Sequence, residues 1–426
     1  MRRPVVSLLT IALVAATAFG LPSATPTPAV AQTSADPCAG APRAPYVDVS
    51  DGGTHTPAID CLHGLDAIRG RLVDAFEPGT TIRRDQMATI VAAVIEAAGG
   101  SLPSPGARFS DVDGNVHRDA IERLAAAGIV QGVGGGRYAP AARVPRGQMT
   151  VFLVRAHDHV LGASDEPAPD AFTDDDGHQF EPFIDRAAQL GLASGRTATT
   201  FAPAERVTRG QTATFAANLL QRSRQDGVMA ATTWGFTATV RALPASLRSQ
   251  MTGSSWHSGR DCPPFDDLRL LEIVHRGFDG RDRVGLMVLH RDATTVVRDA
   301  LGDAYRSGFR IERMRLIDRY GADDDRSMAD NNSSAFNCRT VAGTNRLSEH
   351  AYGRALDLNP VQNPYITSGG TVYPPAGAAY RDRSNVRTGM LVRDGATVQA
   401  FLTRGWRWGG DWNRSKDYQH LSATGR

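Results

Sequence analysis

One sequence pattern occurs three times between residues 46 and 222, and it limits how the first half of the chain can fold. Five residues of the second copy have counterparts 63 positions later in the third copy: Phe109, Ile121, Gly128, Pro140 and Arg146. The first copy is looser, and its Pro78 and Arg84 precede their counterparts by 62 positions. Spacing of this kind indicates a structural unit copied in tandem. We place the copies at residues 46–99, 107–159 and 170–222.

Each copy is predicted to form two helices joined by a turn. Three apolar residues of the second copy form the stripe of its first helix: Ile121, Leu124 and Ile129. Gly128, just before Ile129, lies at a position where helices commonly end. A second helix is predicted to begin near each Arg-Gly-Gln segment, with Met149, Phe152 and Leu153 on its buried face. One such pair cannot bury its own stripe, so we expect the three copies to pack as one all-α bundle.

The repeated motifs resemble those of the S-layer homology (SLH) domain. In the second copy these motifs are an aromatic-x-Asp-Val start, a Gly-Ile step, an aromatic-x-Pro segment and an Arg-Gly-Gln segment, beginning at Phe109, Gly128, Tyr138 and Arg146. The resemblance implies binding of a secondary cell-wall polysaccharide. It assigns the polymer contacts to Arg84, Arg146 and Arg209, and the guanidinium fork suits carboxylates.

A second interpretation of these arginines stands beside the first. They could cap helices and hold the three-copy bundle together. The sequence also departs from the SLH pattern, because Gln86, Gln148 and Gln211 stand where the family usually has Glu. The chemistry of the bound polymer therefore stays open at this point.

The first 31 residues are predicted to be a signal peptide. Arg2 and Arg3 form a positive region, an apolar run follows from Val5 to Leu21, and a small-residue cleavage signal ends at Ala31. An uncleaved anchor is the alternative, but three prolines after the apolar run would break a spanning helix. No later stretch has enough uninterrupted apolar residues to span a bilayer. Together with the SLH resemblance, this predicts a secreted protein attached to the bacterial cell wall or S-layer.

Four cysteines fit an exported protein with two disulfides. Proximity in sequence favours Cys38–Cys61 and Cys262–Cys338, one pair in each half, although the other two pairings stay open. None of the four has the CxxC spacing of a zinc knuckle, so we expect structural disulfides.

Length and composition indicate a multidomain globular protein. A chain of 426 residues exceeds what one hydrophobic core usually serves. Its hydrophobic content of 41% and charged content of 22% are ordinary. The formal net charge of +2, without basic patches, argues against a nucleic-acid partner.

The second half changes to a mixed pattern after a linker predicted at residues 223–235. Strands are predicted at residues 268–275, 284–290, 311–317 and 355–358. Helices are predicted after Asp292, which could cap the first of them, and between residues 394 and 404. Strands separated by helices without a strict alternation suggest an α+β domain over residues 236–424.

Three side chains in this second half form a candidate zinc site. His350 and His420 offer imidazole nitrogen and Asp357 offers carboxylate oxygen, which are ligands that zinc prefers. A turn at Tyr352–Gly353 would let His350 and Asp357 face one point. Asp417, three residues before His420, would supply a general base. A His–Asp network without metal is the alternative, and it would be preferred if only one such pair were present.

The motifs around these residues resemble the D-alanyl-D-alanine carboxypeptidase and L-alanyl-D-glutamate endopeptidase family, over about residues 236–424. The segments that carry the resemblance are Ser348–Pro360, Trp408–Trp412 and Asp417–His420. The resemblance implies a hedgehog-like α+β fold and one Zn²⁺ held by His350, Asp357 and His420. It implies that Asp417 is the catalytic carboxylate and that Arg339 stabilises the transition state.

The implied substrate is an amide bond of the peptidoglycan stem peptide. Carboxypeptidases and endopeptidases of this kind share the metal site, so the sequence leaves the choice between them open. A second hypothesis is an inactive wall-binding protein that uses the peptidase-like fold only to recognise stem peptides. Retention of Asp417 together with the three ligands favours the enzyme.

Overall fold

The computed structural model describes residues 36–162, 167–226 and 232–425. The predicted signal peptide and residues 227–231 of the predicted linker lie outside the described residues. Within the described ranges, no helix has both the length and the apolar character needed to cross a membrane.

The three copies of the repeat form a helical bundle. Its helices are α1 (Thr56–Gly64), α2 (Arg84–Ala97), α3 (Arg118–Ala126), α4 (Arg146–Leu161), α5 (Glu181–Gln189) and α6 (Arg209–Gln225). The second helix of every copy begins at its motif arginine, as predicted. At α6 the reason is visible, because the Thr208 hydroxyl accepts from Gln211 N while the Gln211 side chain accepts from Thr208 N. Gly128 has a φ of 73°, which fits its predicted place after α3.

The motif arginines connect the three copies in a closed ring. Arg84 donates from Nε to the Tyr138 carbonyl at 3.0 Å, so the first copy holds the second. Arg146 donates to the Phe201 carbonyl at 2.8 Å, so the second copy holds the third. Arg209 donates to the Phe76 carbonyl at 2.8 Å, so the third copy holds the first. Each guanidinium also lies 4.5 Å from the centre of the ring of that aromatic residue.

The second half is an α+β region, as the sequence predicted. Its longer strands are β1 (Ala238–Ala242), β2 (Leu268–Arg276) and β3 (Asp282–His290), which form an antiparallel sheet in that order. Its helices are α7 (Ala245–Met251), α8 (Thr294–Arg306), α9 (Asp324–Ala329) and α10 (Ala396–Leu402). Helix α8 packs on β2 and against α10, and their apolar side chains form one core.

Short strands complete this region. They are β4 (Arg313–Met314), β5 (Asn332–Ser333), β6 (Ala355–Asp357), β7 (Tyr365–Ile366), β8 (Val372–Tyr373), β9 (Arg407–Trp408), β10 (Lys416–Asp417) and β11 (His420–Ser422). They form the sheets β6-β11-β9 and β10-β7-β8 and the pair β4-β5. The hedgehog-like fold that the resemblance implied stays a prediction.

Two local expectations are wrong. The strand predicted over residues 311–317 is limited to Arg313–Met314, because the chain turns into a 3-10 helix at Ile317. Asp292 does not cap α8. Its carboxylate instead accepts from Arg354 at 2.7 Å, and Ala293 occupies the cap position.

The segment before α1 joins the bundle to the α+β region. Arg43 N donates to the Asp282 carbonyl at 2.9 Å and Val284 N donates to the Arg43 carbonyl at 2.8 Å, so this segment pairs with β3. Asp74 of the bundle also lies 3.3 Å from Arg319. The two halves are therefore in direct contact.

The structure pairs the cysteines as Cys38–Cys61 and Cys262–Cys338, which is the pairing that sequence proximity favoured. The first disulfide links the segment before α1 to α1 itself. The second links two segments of the α+β region that are 76 residues apart.

We expect Arg146→Ala to destabilise the bundle by about 2–4 kcal/mol, because it leaves the buried carbonyl of Phe201 and the partly buried carbonyl of Ser194 without a charged donor. Chemical denaturation followed by circular dichroism measures this change. The control is Arg137→Ala, which removes an exposed arginine from the same copy. Equal stability of the two variants would show that the arginine ring does not hold the copies together.

Candidate active site

Pairing of two short strands brings together residues that are far apart in sequence. Strand β11 runs antiparallel to β6 with His420 directly opposite Asp357. Leu356 and Leu421 form the next pair of the same ladder and are completely buried. Because neighbouring side chains on a strand point to opposite faces, this register places His420 and Asp357 on one face and the leucines in the core.

His350 reaches the same point from a 3-10 helix at Glu349–Tyr352. Ser348 caps this helix, and its hydroxyl accepts from His350 N at 3.4 Å. The imidazole donates from Nδ1 to the Ala335 carbonyl at 2.6 Å. That bond fixes the ring and leaves Nε2 as the available lone pair, as is usual for a metal-binding histidine.

The three predicted ligands converge. Nε2 of His350 lies 3.3 Å from an oxygen of Asp357 and 3.2 Å from Nδ1 of His420. Nδ1 of His420 lies 3.2 Å from the other oxygen of Asp357. One ligand atom from each residue lies within 4.8 Å of the others. Two imidazoles and one carboxylate in this arrangement could hold a metal ion.

The electrostatics of Asp357 agree with this assignment. Burial acts to raise the pKa of this carboxyl, but the charges and hydrogen bonds of His350 and His420 outweigh it and hold the pKa below its usual range. Asp357 is therefore ionised, which is the form that binds a cation.

Asp417 lies beside the three ligands at the end of β10, which pairs it with Tyr365 of β7. Burial and the nearby charge of Asp357 raise the pKa of Asp417 to about 7. Its Oδ1 is buried and has no hydrogen-bond partner among the residues that the structure describes. The carboxyl is thus close to the site and has an oxygen free for a further contact.

Arg339 is held near the site by a residue that the sequence did not reveal. Its Nε pairs with the carboxylate of Asp324, the first residue of α9. Burial raises the pKa of Asp324, and the charges of Arg339 and then His350 act to lower it. The disulfide between Cys338 and Cys262 restrains the adjacent backbone. Asp324 stands in a run of three aspartates, so no local signal distinguishes it.

The arginines predicted to contact the polymer are buried. Arg84 and Arg146 are 3% exposed and Arg209 is 5% exposed. Besides the ring contacts described above, each donates from a terminal nitrogen to a second backbone carbonyl. These contacts favour the interpretation that they hold the bundle together, and direct contact with a polymer stays a prediction.

Comparison with known proteins finds a matching family model in each half of the chain. Residues 342–423 match the family model described as D-alanyl-D-alanine carboxypeptidase. Residues 108–150 and 171–213 match the S-layer homology domain, which covers the second and third of the three predicted copies. S-layer homology repeats followed by a segment of D-alanyl-D-alanine carboxypeptidase type are therefore confirmed.

The curated relatives match this chain over only a small share of their own length. The chain is 27% identical to an exoglucanase XynX of Acetivibrio thermocellus over 169 residues, which are 39% of this chain and 15% of that protein. It is also 27% identical to an S-layer protein of Bacillus thuringiensis subsp. finitimus over 163 residues, which are 38% of this chain and 19% of that protein. The chain thus spans only a small part of these relatives.

We expect Gly353→Ala to distort the site and to destabilise the protein by about 1–3 kcal/mol. Gly353 has a φ of 65°, and a Cβ at this position would stand 2.6 Å from His290 N, which donates to the Gly353 carbonyl. Chemical denaturation and zinc titration measure the two effects.

The matched control for that variant is Gly343→Ala. Gly343 also has a positive φ, of 73°, but no atom lies within 4 Å of the added Cβ. It should cost about 1 kcal/mol from backbone strain and leave zinc binding unchanged. Zinc affinity of Gly353→Ala equal to that of wild type would contradict the expected distortion.

Proposed function

We propose that this protein is a secreted zinc metallopeptidase, attached to the cell wall, that hydrolyses an amide bond of the peptidoglycan stem peptide. The observation that carries the proposal is the convergence of His350, Asp357 and His420 within the segment that matches the D-alanyl-D-alanine carboxypeptidase model. The matched S-layer homology repeats support attachment to a cell-wall polysaccharide.

Nε2 of His350, a carboxylate oxygen of Asp357 and Nδ1 of His420 would hold the zinc ion. When bound, zinc lowers the pKa of a coordinated water to about 7 and polarises a carbonyl. The Ala335 carbonyl keeps His350 in the tautomer that offers Nε2.

Asp417 is the group that we assign to proton transfer. Its carboxylate would accept the proton of the attacking water and then deliver it to the nitrogen of the departing amine. The buried Oδ1 without a partner supports this role, since a base needs an oxygen that is not committed to another donor.

Arg339 is the group that we assign to the negative charge that develops on the carbonyl oxygen. About a third of its side chain is exposed, so it can face a bound substrate. Asp324 would act as a positioning residue, because its carboxylate holds Nε. Nη1 donates to the Thr340 carbonyl at 3.4 Å, so Nη2 is the nitrogen that we assign to substrate.

The second candidate, an inactive wall-binding protein, is not favoured. Such a protein would need neither a base next to the ligands nor ligand atoms that converge on one point. This chain keeps Asp417 beside the three ligands, and its donor atoms already face one point.

We expect Asp417→Asn to bind one zinc ion and to cleave a synthetic stem peptide at least ~100-fold more slowly than wild type. His350→Ala should lose both zinc and cleavage. Metal analysis together with chromatography of the products measures both properties. The charge-matched control is Asp411→Asn, which removes a surface acid that pairs with Arg393 and should retain full activity.

Wild-type rates for Asp417→Asn would contradict the base assignment. Zinc binding by the wild type without cleavage of any stem peptide would instead favour the inactive wall-binding protein. Mass spectrometry of products from intact peptidoglycan decides between release of a terminal D-alanine and an internal cut.

We further expect the full chain to sediment with purified cell-wall sacculi and to be displaced by soluble wall polysaccharide. The reason is that the S-layer homology repeats would carry the attachment. Retention on sacculi from which the secondary polysaccharide has been extracted would contradict this assignment.

A further inference from the structure

The third repeat brings three carboxylates together, away from the candidate active site. They belong to Asp170, Asp175 and Asp185, and one oxygen from each lies within 4.8 Å of the others. Asp170 is exposed, whereas Asp175 and Asp185 are buried. A cluster of this kind is unfavourable unless something compensates its charge.

Asp175 is the unusual member of the cluster. It is completely buried, and neither of its oxygens has a hydrogen-bond partner among the described residues. Burial and then the charge of Asp185 raise the pKa of Asp175 to about 6. A buried carboxylate without partners is rare in folded proteins, because burial removes the water that solvated it.

The sibling repeats show that the bundle does not need an acid at this position. The counterpart of Asp175 is Val112 in the second copy and Val49 in the first, and both valines are buried in the core. Packing alone is therefore satisfied by an apolar side chain. The aspartate in the third copy brings a charge into a site that the other copies keep apolar.

Asp185 also differs from its counterpart in a way that frees an oxygen. Glu122 in the second copy uses both oxygens, accepting from Arg108 N and Phe109 N. Asp185 is one carbon shorter and accepts from Ala171 N through Oδ1. That is the one hydrogen bond that the described residues give it, so Oδ2 is available to another ligand.

We propose that Asp170, Asp175 and Asp185 bind a calcium ion. All donors are oxygen, which suits a hard cation and not zinc. Calcium takes further oxygens from water and backbone carbonyls, and extracellular modules commonly bind it with a Kd of ~10⁻⁴–10⁻³ M. A secreted protein would meet calcium at such concentrations outside the cell.

Calcium at this position would stiffen the contact between the second and third repeats. The neighbouring Asp174 accepts from Phe201 N at 2.6 Å and from Ala202 N at 2.7 Å. The carbonyl of Phe201 in turn accepts from Arg146 of the second repeat. An ion that orders residues 170–176 therefore orders the acceptor of that arginine.

The test is calorimetric titration of the full chain with CaCl₂, after the zinc site has been saturated. We expect one calcium per chain, and 10 mM CaCl₂ should raise the Tm of the bundle by roughly 3–10 °C. Asp175→Val should abolish both effects. This variant should fold, because the sibling repeats carry valine at the same position.

Two comparisons make the test specific. Asp113→Asn removes an exposed acid next to Val112, the counterpart of Asp175 in the second repeat, and should bind calcium like wild type. MgCl₂ should bind more weakly than CaCl₂, because magnesium demands a tighter octahedral arrangement. Absence of calcium binding by wild type at 10 mM, equal binding by Asp175→Val, or a preference for magnesium would each overturn the proposal.

Discussion

The candidate active site depends on the antiparallel pairing of β6 and β11. This pairing sets His420 opposite Asp357 and places Leu356 and Leu421 in the core behind them. A shift of one residue would move the leucines to the site and the ligands into the core. Burial of the leucines therefore specifies the same register that brings the candidate metal ligands together.

The bundle depends on a different interaction, in which a buried arginine side chain of one repeat contacts the next repeat. Each motif arginine satisfies backbone carbonyls of the next copy and lies over its aromatic ring. Removing water from a guanidinium is costly, so such a residue persists where its donors are matched by acceptors. This explains why the ring contains arginine in every copy, whether or not a polymer also contacts the bundle.

Much of the candidate site was predictable, because its ligands lie in compact motifs. His350 and Asp357 are separated by one turn, and Asp417 precedes His420 by three residues. Asp324 was not predictable, because its contact with Arg339 joins segments whose only relation is tertiary. The contact between the Ala335 carbonyl and His350 was not predictable for another reason. Every residue has a backbone carbonyl, so the sequence does not show which one accepts the hydrogen bond.

The sequence by itself determined the repeated unit, the starts of its second helices and the chemical types of the candidate metal ligands. These features follow from local spacing, since helix caps and short motifs involve residues that are close together in sequence. Only the tertiary structure decided what the motif arginines contact and which acids surround Asp175. Those properties depend on which distant segments meet when the apolar faces are buried. The aspartate of the third repeat is unusual only because the structure shows it buried at the position where the other two repeats bury a valine.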